Sequence, residues 1–317
     1  MSNAHAPRDA ARQPLFELAI DEIAVKLLDH LVDRRAGTRL RDDLADLGNA
    51  LSPHELSALY QFLDATTTDD GRAQIAGVAP MWSQLLNGTG ATFSRETLFD
   101  GSTLFRSEVA APVRPALVCF TSRQNGMFMP NCRFLELLGK YPVDVVINAT
   151  QSGTFGLWNL QDSGSFAGSL RQLKAALAER GIVPRAYAGA SAGCGPAVYA
   201  ATLDPGTSAV LFGLRFFVPG RNIPLSEAGP AFEPICDCWP GPLPRTYNIF
   251  GALQGVDVEN NSRLQRLLPE AKSYPMPNDD KHSPMVTLTA RRKMRGVIDL
   301  LVRVAAGDTV DFSMVVQ

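Results

Sequence analysis

Residues 185–201, Arg-Ala-Tyr-Ala-Gly-Ala-Ser-Ala-Gly-Cys-Gly-Pro-Ala-Val-Tyr-Ala-Ala, hold one serine, flanked on each side by alanine and then glycine. Gly189 and Gly193 flank Ser191 at the G-x-S-x-G spacing. An apolar run precedes the serine and an Ala-rich run follows it. That order predicts a strand, a tight turn and a helix, with the serine at the apex. A serine hydroxyl is a poor nucleophile near neutral pH and needs an adjacent base, usually a histidine oriented by an acid. The chain has four histidines. His5 falls in a polar N-terminal tail, and His30 and His54 fall in a helical block. His282 alone follows Ser191, in the polar stretch Asn278-Asp-Asp-Lys-His-Ser-Pro. Sites in parallel α/β sheets gather in the loops outside the carboxyl ends of strands, where both Ser191 and His282 are expected. The acid should leave a strand between them. Asp257, in Gln254-Gly-Val-Asp-Val-Glu after an apolar run at 247–253, is the first choice and Glu259 the second. Asp279 or Asp280 would serve if His282 were oriented by its own loop.

These residues need a scaffold, and the patterning supplies one. Residues 13–90 read as an all-helical extension, preceded by a disordered tail at 1–12. Phe16, Ile20, Ile23, Leu27 and Leu31 recur at steps of three and four, with Gly37 as a helix end after Arg34-Arg35. A second helix spans roughly 38–48. Ser52-Pro53-His54-Glu55 is a capping box with proline at the first helical position, opening a third helix to about Asp64. A fourth is expected from about Ala73 to Leu86. From 91 the pattern changes. Two alternating runs joined by Asp100-Gly101 predict a hairpin. Apolar strands are then expected at 115–121, 143–148, 185–190, 208–213, 247–253 and 271–276. Helices are expected at 165–180, after the serine, from Ser262 to Leu268, and from Thr289 to Ala306. Apolar strands alternating with helices imply a mainly parallel sheet covered on both faces. Residues 214–246 interrupt this with seven prolines, the mark of a long functional loop.

Composition narrows the function classes. The 317 residues are 45% hydrophobic and 20% charged, with a formal net charge of -2, so no electrostatic attraction to nucleic acid or anionic membrane is expected. No run approaches the ~18 apolar residues of a membrane span. Five cysteines without zinc-ligand spacing and an N-terminus without a signal-peptide core suggest a reduced cytoplasmic setting. There is no phosphate-loop, dinucleotide or His-Glu-x-x-His fingerprint, so neither cofactor nor metal is expected. Cys194, past the apex, reads as a small buried residue.

With the elbow Gly189-Ala-Ser191-Ala-Gly193, the acid Asp257 and His282 in that order, and the initial hairpin, residues 91–317 resemble the α/β-hydrolase superfamily. The resemblance implies a serine hydrolase that cleaves an ester or thioester through a Ser191–His282–Asp257 triad and an acyl-enzyme. An acyltransferase, or a non-catalytic binding protein on the same fold, are the alternatives. It also implies an oxyanion hole from the amide after the nucleophile, here Ala192, and one from the loop after the third strand, where Ser122 and Arg123 are the candidates. That loop lacks the usual His-Gly start. Met127-Phe128-Met129 is positioned to line an apolar acyl pocket. The implied partner is a small acyl ester or thioester, and residues 13–88 offer a surface for a protein partner or a second copy. Patatin-like phospholipases share the serine motif. The chain lacks their Asp-Gly downstream and their glycine-rich loop after a strand.

Overall fold

A computed structural model describes residues 20–32, 37–79, 81–99, 101–112, 114–122, 126–148, 166–215 and 242–317. The chain forms two compact units, 1–89 and 90–317.

The first unit contains α1 (Ile20–Val32), α2 (Gly37–Ala50), α3 (Pro53–Thr66), α4 (Asp69–Val78) and α5 (Trp82–Leu86). Ile23, Leu27, Leu40, Leu44, Leu47, Leu56, Leu59 and Leu63 are all buried, the stripes expected from helical spacing. The capping box forms: Ser52 N–H donates to Glu55 Oε2 at 2.8 Å. Two differences from the sequence reading have local causes. Gly37 opens α2 instead of closing α1, and Phe16, Arg34 and Arg35 lie outside the described residues. The expected fourth helix is two, α4 and α5. Pro80 falls between them, and proline has no N–H to continue a helix. Ser57 Oγ–H then ties α5 to α3 through Leu85 O at 2.7 Å.

The second unit is built on β1 (Phe93–Phe99), β2 (Ser102–Ser107), β3 (Ala116–Phe120), β4 (Asp144–Asn148), β5 (Pro184–Ala190), β6 (Ser208–Phe212), β7 (Arg245–Gly251) and β8 (Lys272–Met276). Their order in the sheet is β1-β2-β4-β3-β5-β6-β7-β8. β1 and β2 form the expected antiparallel hairpin, with Gly101 at φ +75° in its turn, and β2 runs antiparallel to β4. All pairings from β4 to β8 are parallel. Parallel strands need crossover helices, and those helices bury both sheet faces. α6 (Asn131–Leu138) and a C-terminal pair, α10 (Pro284–Ala290) and α11 (Met294–Ala305), cover one face with Leu117, Cys119 and Ile249. α7 (Phe166–Ala178), α8 (Cys194–Leu203) and α9 (Gly255–Leu267) cover the other with Val118, Phe120 and Leu211. The chain ends in α12 (Ser313–Val316).

Three elements of this unit depart from the sequence reading. α6 was not anticipated, although Phe134, Leu135 and Leu138 give it a helical apolar stripe. The last helix is split, because Arg292 adopts φ +57° and Lys293 N–H turns back to Leu288 O at 2.8 Å. α9 begins at Gly255, seven residues before the expected start, with Gln254 accepting from Val256 N–H at 2.9 Å as its cap. Asp257 therefore sits in the first helical turn and not in a loop. Most of the Pro-rich stretch 214–246 lies outside the described residues. No described helix is long and apolar enough to cross a membrane.

Candidate active site

The elbow after β5 is defined by what cannot fit there. Ser191 has φ +52°, a left-handed conformation that a side chain bearing Cβ rarely takes. A Cβ on Gly193 would stand 2.1 Å from Phe120 O, and one on Gly189 would stand 2.5 Å from both Cys194 Cα and Gly193 O. Both glycines are required because β5, the turn and the adjacent β3 approach at backbone contact. Ser191–Gly193 form one 3₁₀ turn leading into α8, so the serine is raised at the carboxyl end of a central strand.

Around that hydroxyl the chain assembles a line of three groups. Ser191 Oγ lies 2.6 Å from His282 Nε2, and His282 Nδ1 lies 2.8 Å from Asp257 Oδ1. With the proton on Nδ1, that N–H donates to the carboxylate and Nε2 accepts from the serine O–H. That is the tautomer a general base needs. Asp257 is wholly buried, while the His282 side chain is 21% exposed, so the carboxylate acts from behind the ring and solvent reaches the serine side. Asp257 Oδ2 is buried without a hydrogen-bond partner among the described residues, which leaves Oδ1 as the working oxygen. The ring is seated by its backbone: Gly213, at φ +61°, has room for no Cβ, since one would stand 2.3 Å from His282 O. Phe128 presses edge-on against the imidazole, centroids 5.5 Å apart.

The remaining expected site residues divide. Glu259 is exposed on α9 and Asp280 is exposed in the loop after β8. Asp279 is buried, but its Oδ1 accepts from Lys281 N–H and Thr287 Oγ1–H, each at 3.1 Å. Ala192, largely buried, follows the nucleophile directly at the start of the turn. Ser122 is a correction: its amide donates to Gly126 O at 2.9 Å, so as arranged that N–H closes its own loop instead of facing a substrate oxygen. Arg123 lies outside the described residues. Met127 is fully buried in the core, and of its neighbours Phe128 is the one in ring contact with His282. Cys194 is not a second nucleophile: burial pushes its thiol well above the ordinary range, and Sγ–H points to Gly189 O at 3.2 Å. His54 lies in the first unit, its Nδ1 3.1 Å from Ser52 Oγ.

Arg215 was missed by the sequence reading. It follows β6, and its Nε lies 3.2 Å from His282 Nδ1 and 3.9 Å from Asp257 Oδ1. No motif marks it; only its place three residues after a strand next to the elbow strand would have drawn attention.

No family model and no curated protein matches the chain. Among solved structures, an esterase of Pyrobaculum calidifontis matches with a TM-score of 0.50 at 15% identity, covering 79% of this chain and 98% of its own. The 2,6-dihydroxy-pseudo-oxynicotine hydrolase matches at 16% identity and a TM-score of 0.49, covering 95% of this chain and 92% of its own. The mostly parallel eight-stranded sheet with helices on both faces is the arrangement of the α/β-hydrolase fold class. The chain has the α/β-hydrolase fold. In an α/β-hydrolase the nucleophile, acid and base follow in chain order Ser…Asp…His, and here the three that meet are Ser191, Asp257 and His282.

Proposed function

We propose that this α/β-hydrolase-fold chain is a serine hydrolase acting on small esters or thioesters. The observation that carries the reading is the continuous contact from Ser191 Oγ through His282 to buried Asp257, from segments that follow the carboxyl ends of three strands of one sheet, β5, β8 and β7. Ser191 Oγ attacks the acyl carbonyl as His282 Nε2 takes its proton. Asp257 holds the Nδ1–H and stabilises the imidazolium that forms. The Ala192 N–H, at the head of α8, faces the growing negative charge on the carbonyl oxygen. His282 then gives the proton to the leaving oxygen or sulfur, and the acyl-Ser191 ester forms as that bond breaks. Water, deprotonated by His282, attacks the acyl-enzyme in the second half and Ser191 leaves with its proton restored.

A fluorophosphonate probe tests the reading together with a panel of acyl esters and thioesters. The wild type should be labelled at Ser191 and turn over at least one short acyl substrate. Ser191→Ala should lose labelling and lower kcat by roughly 10⁶, the scale seen when a triad nucleophile is removed. Equal labelling of both proteins, or a wild type inert to probe and panel alike, would sink it.

A further inference from the structure

The geometry points to Asn261 as a positioning residue, whose side-chain oxygen clasps α9 to β7 and β8 and so sets where Asp257 meets His282. This rests on the triad reading of the site and deepens it. The inner face of α9 is poor in apolar anchors: of its three buried residues, Asp257, Asn260 and Leu264, only the last is apolar. Apolar contact is non-directional and lets a helix turn or slide by a fraction of a residue, whereas a hydrogen bond to a fixed strand does not. α9 makes such bonds at Asn261. Its Oδ1 accepts from Asn248 Nδ2–H at 2.9 Å and from Ser273 Oγ–H at 2.7 Å. The two donors are register partners in the sheet, Asn248 on β7 and Ser273 on β8. Asn248 is wholly buried. Gln265, one turn further along α9, donates to the same Ser273 Oγ at 2.9 Å.

Each bonded strand delivers one half of the acid–base pair. β7 leads into α9 and Asp257, and β8 leads into the loop that carries His282. Asn261 therefore ties the helix of the acid to both strands whose ends must agree. Residues four apart share one face of a helix, so Asp257 and Asn261 project from α9 in nearly the same direction, about 6 Å apart along its axis. A rotation of α9 that broke the Asn261 bonds would swing Asp257 away from the imidazole. The 2.8 Å contact of its Oδ1 with His282 Nδ1 tolerates little of that.

A double-mutant cycle with Asp257 separates positioning from mere support of the fold. Asn261→Ala removes the accepting oxygen, alanine favours the helix, and the half-buried place lets water take over the two donors. With Asp257 present it should lower kcat on a short aryl ester, and the rate of fluorophosphonate labelling, by about tenfold. KM should not change. That is part of the roughly 10² that a 1 Å displacement of a catalytic group costs. In the Asp257→Asn background, where the carboxylate it positions is gone, the same substitution should cost less than about twofold. Ser273→Ala removes only one of the two bonds and should follow the same pattern with a loss of about threefold; it carries the cycle if Asn261→Ala does not fold. The assignment is overturned if these substitutions leave kcat and labelling unchanged, or if they cost the same factor with Asp257 and without it. A wild type that hydrolyses no aryl ester and takes no fluorophosphonate, or an Asp257→Asn protein with wild-type kcat, fails at the underlying triad reading instead.

Discussion

Two carboxylates are buried in the segments that follow β7 and β8, and only one of them touches the imidazole. Asp257 is wholly buried and Asp279 nearly so, and the Oδ2 of each lacks a hydrogen-bond partner among the described residues. Asp279 is three residues from His282 in the chain, yet its Oδ1 is committed to Lys281 N–H and Thr287 Oγ1–H. Its carbonyl accepts from Leu253 N–H at 2.9 Å, stitching the β8 loop to the β7 loop. Asp257, 25 residues away, makes no such local bond and delivers Oδ1 to His282 at 2.8 Å. A short polar side chain that can bond its own backbone two residues on shapes the turn it stands in. The acid that orients the base must come from an element that does not need it. Placement in the first turn of α9, where the cap is made by Gln254, leaves Asp257 at liberty to do so.

The largest expected effect breaks this comparison if it fails. Asp257→Asn keeps the shape but removes the charge and favours the wrong tautomer, so kcat should fall by roughly 10⁴. Far-UV circular dichroism and the urea midpoint should change little beside that. If Asp257→Asn retained more than a tenth of wild-type kcat, the two carboxylates would have been assigned the wrong way round.

Legibility of the molecule in its sequence divides along the same line. The eight strands and the serine elbow could be read because the signals are local: apolar runs bounded by glycines, and Gly189 and Gly193 at a fixed spacing around Ser191. Ser191, Asp257 and His282 could be singled out because few polar residues lie at strand ends after the serine, and the structure brings these three side chains together. What failed depended on how caps, loop folds and strand neighbours settle, which residue types alone do not show. Where the β7 loop becomes α9 depends on the Gln254 cap, and Arg215 reaches His282 only because β6 lies beside β5 in the sheet. The Ser122 amide was misread for the same reason, since its acceptor, Gly126 O, is fixed by how the loop after β3 folds back.

Next in size is Gly213→Ala. The new Cβ would press on His282 O at 2.3 Å and on Cε1 at 3.3 Å, at a φ of +61° that alanine resists. The imidazole must shift, and displacement of a catalytic group by about 1 Å costs roughly 10² in rate. The split matters: kcat for a neutral ester should drop by about that factor, with fluorophosphonate labelling slowed to match. An unaltered labelling rate would mean that the loop yields without moving the ring.

Asp279→Asn should do the opposite of Asp257→Asn. Loss of charge weakens the bonds to Lys281 N–H and Thr287 Oγ1–H, and a buried polar group left poorly satisfied costs about 1–3 kcal/mol. The urea midpoint should fall accordingly, while kcat on a short acyl ester stays within about tenfold, because the residue shapes the loop and does not touch the ring.

Glu259 supplies the smallest and cleanest contrast. It stands two residues after Asp257 on the same helix and was the second candidate for the acid, but its side chain is exposed. A helix advances about 100° per residue, so positions two apart face nearly opposite directions. With Asp257 turned inward to His282, Glu259 is turned to solvent. Its remaining contribution is to the N-terminal end of the α9 dipole, a few tenths of a kcal/mol at an exposed site. Glu259→Gln should therefore leave stability within about 0.5 kcal/mol and kcat within twofold. A drop in kcat near that of Asp257→Asn would show that α9 turns in solution to present its other face to the base, and the burial of Asp257 would then need another cause.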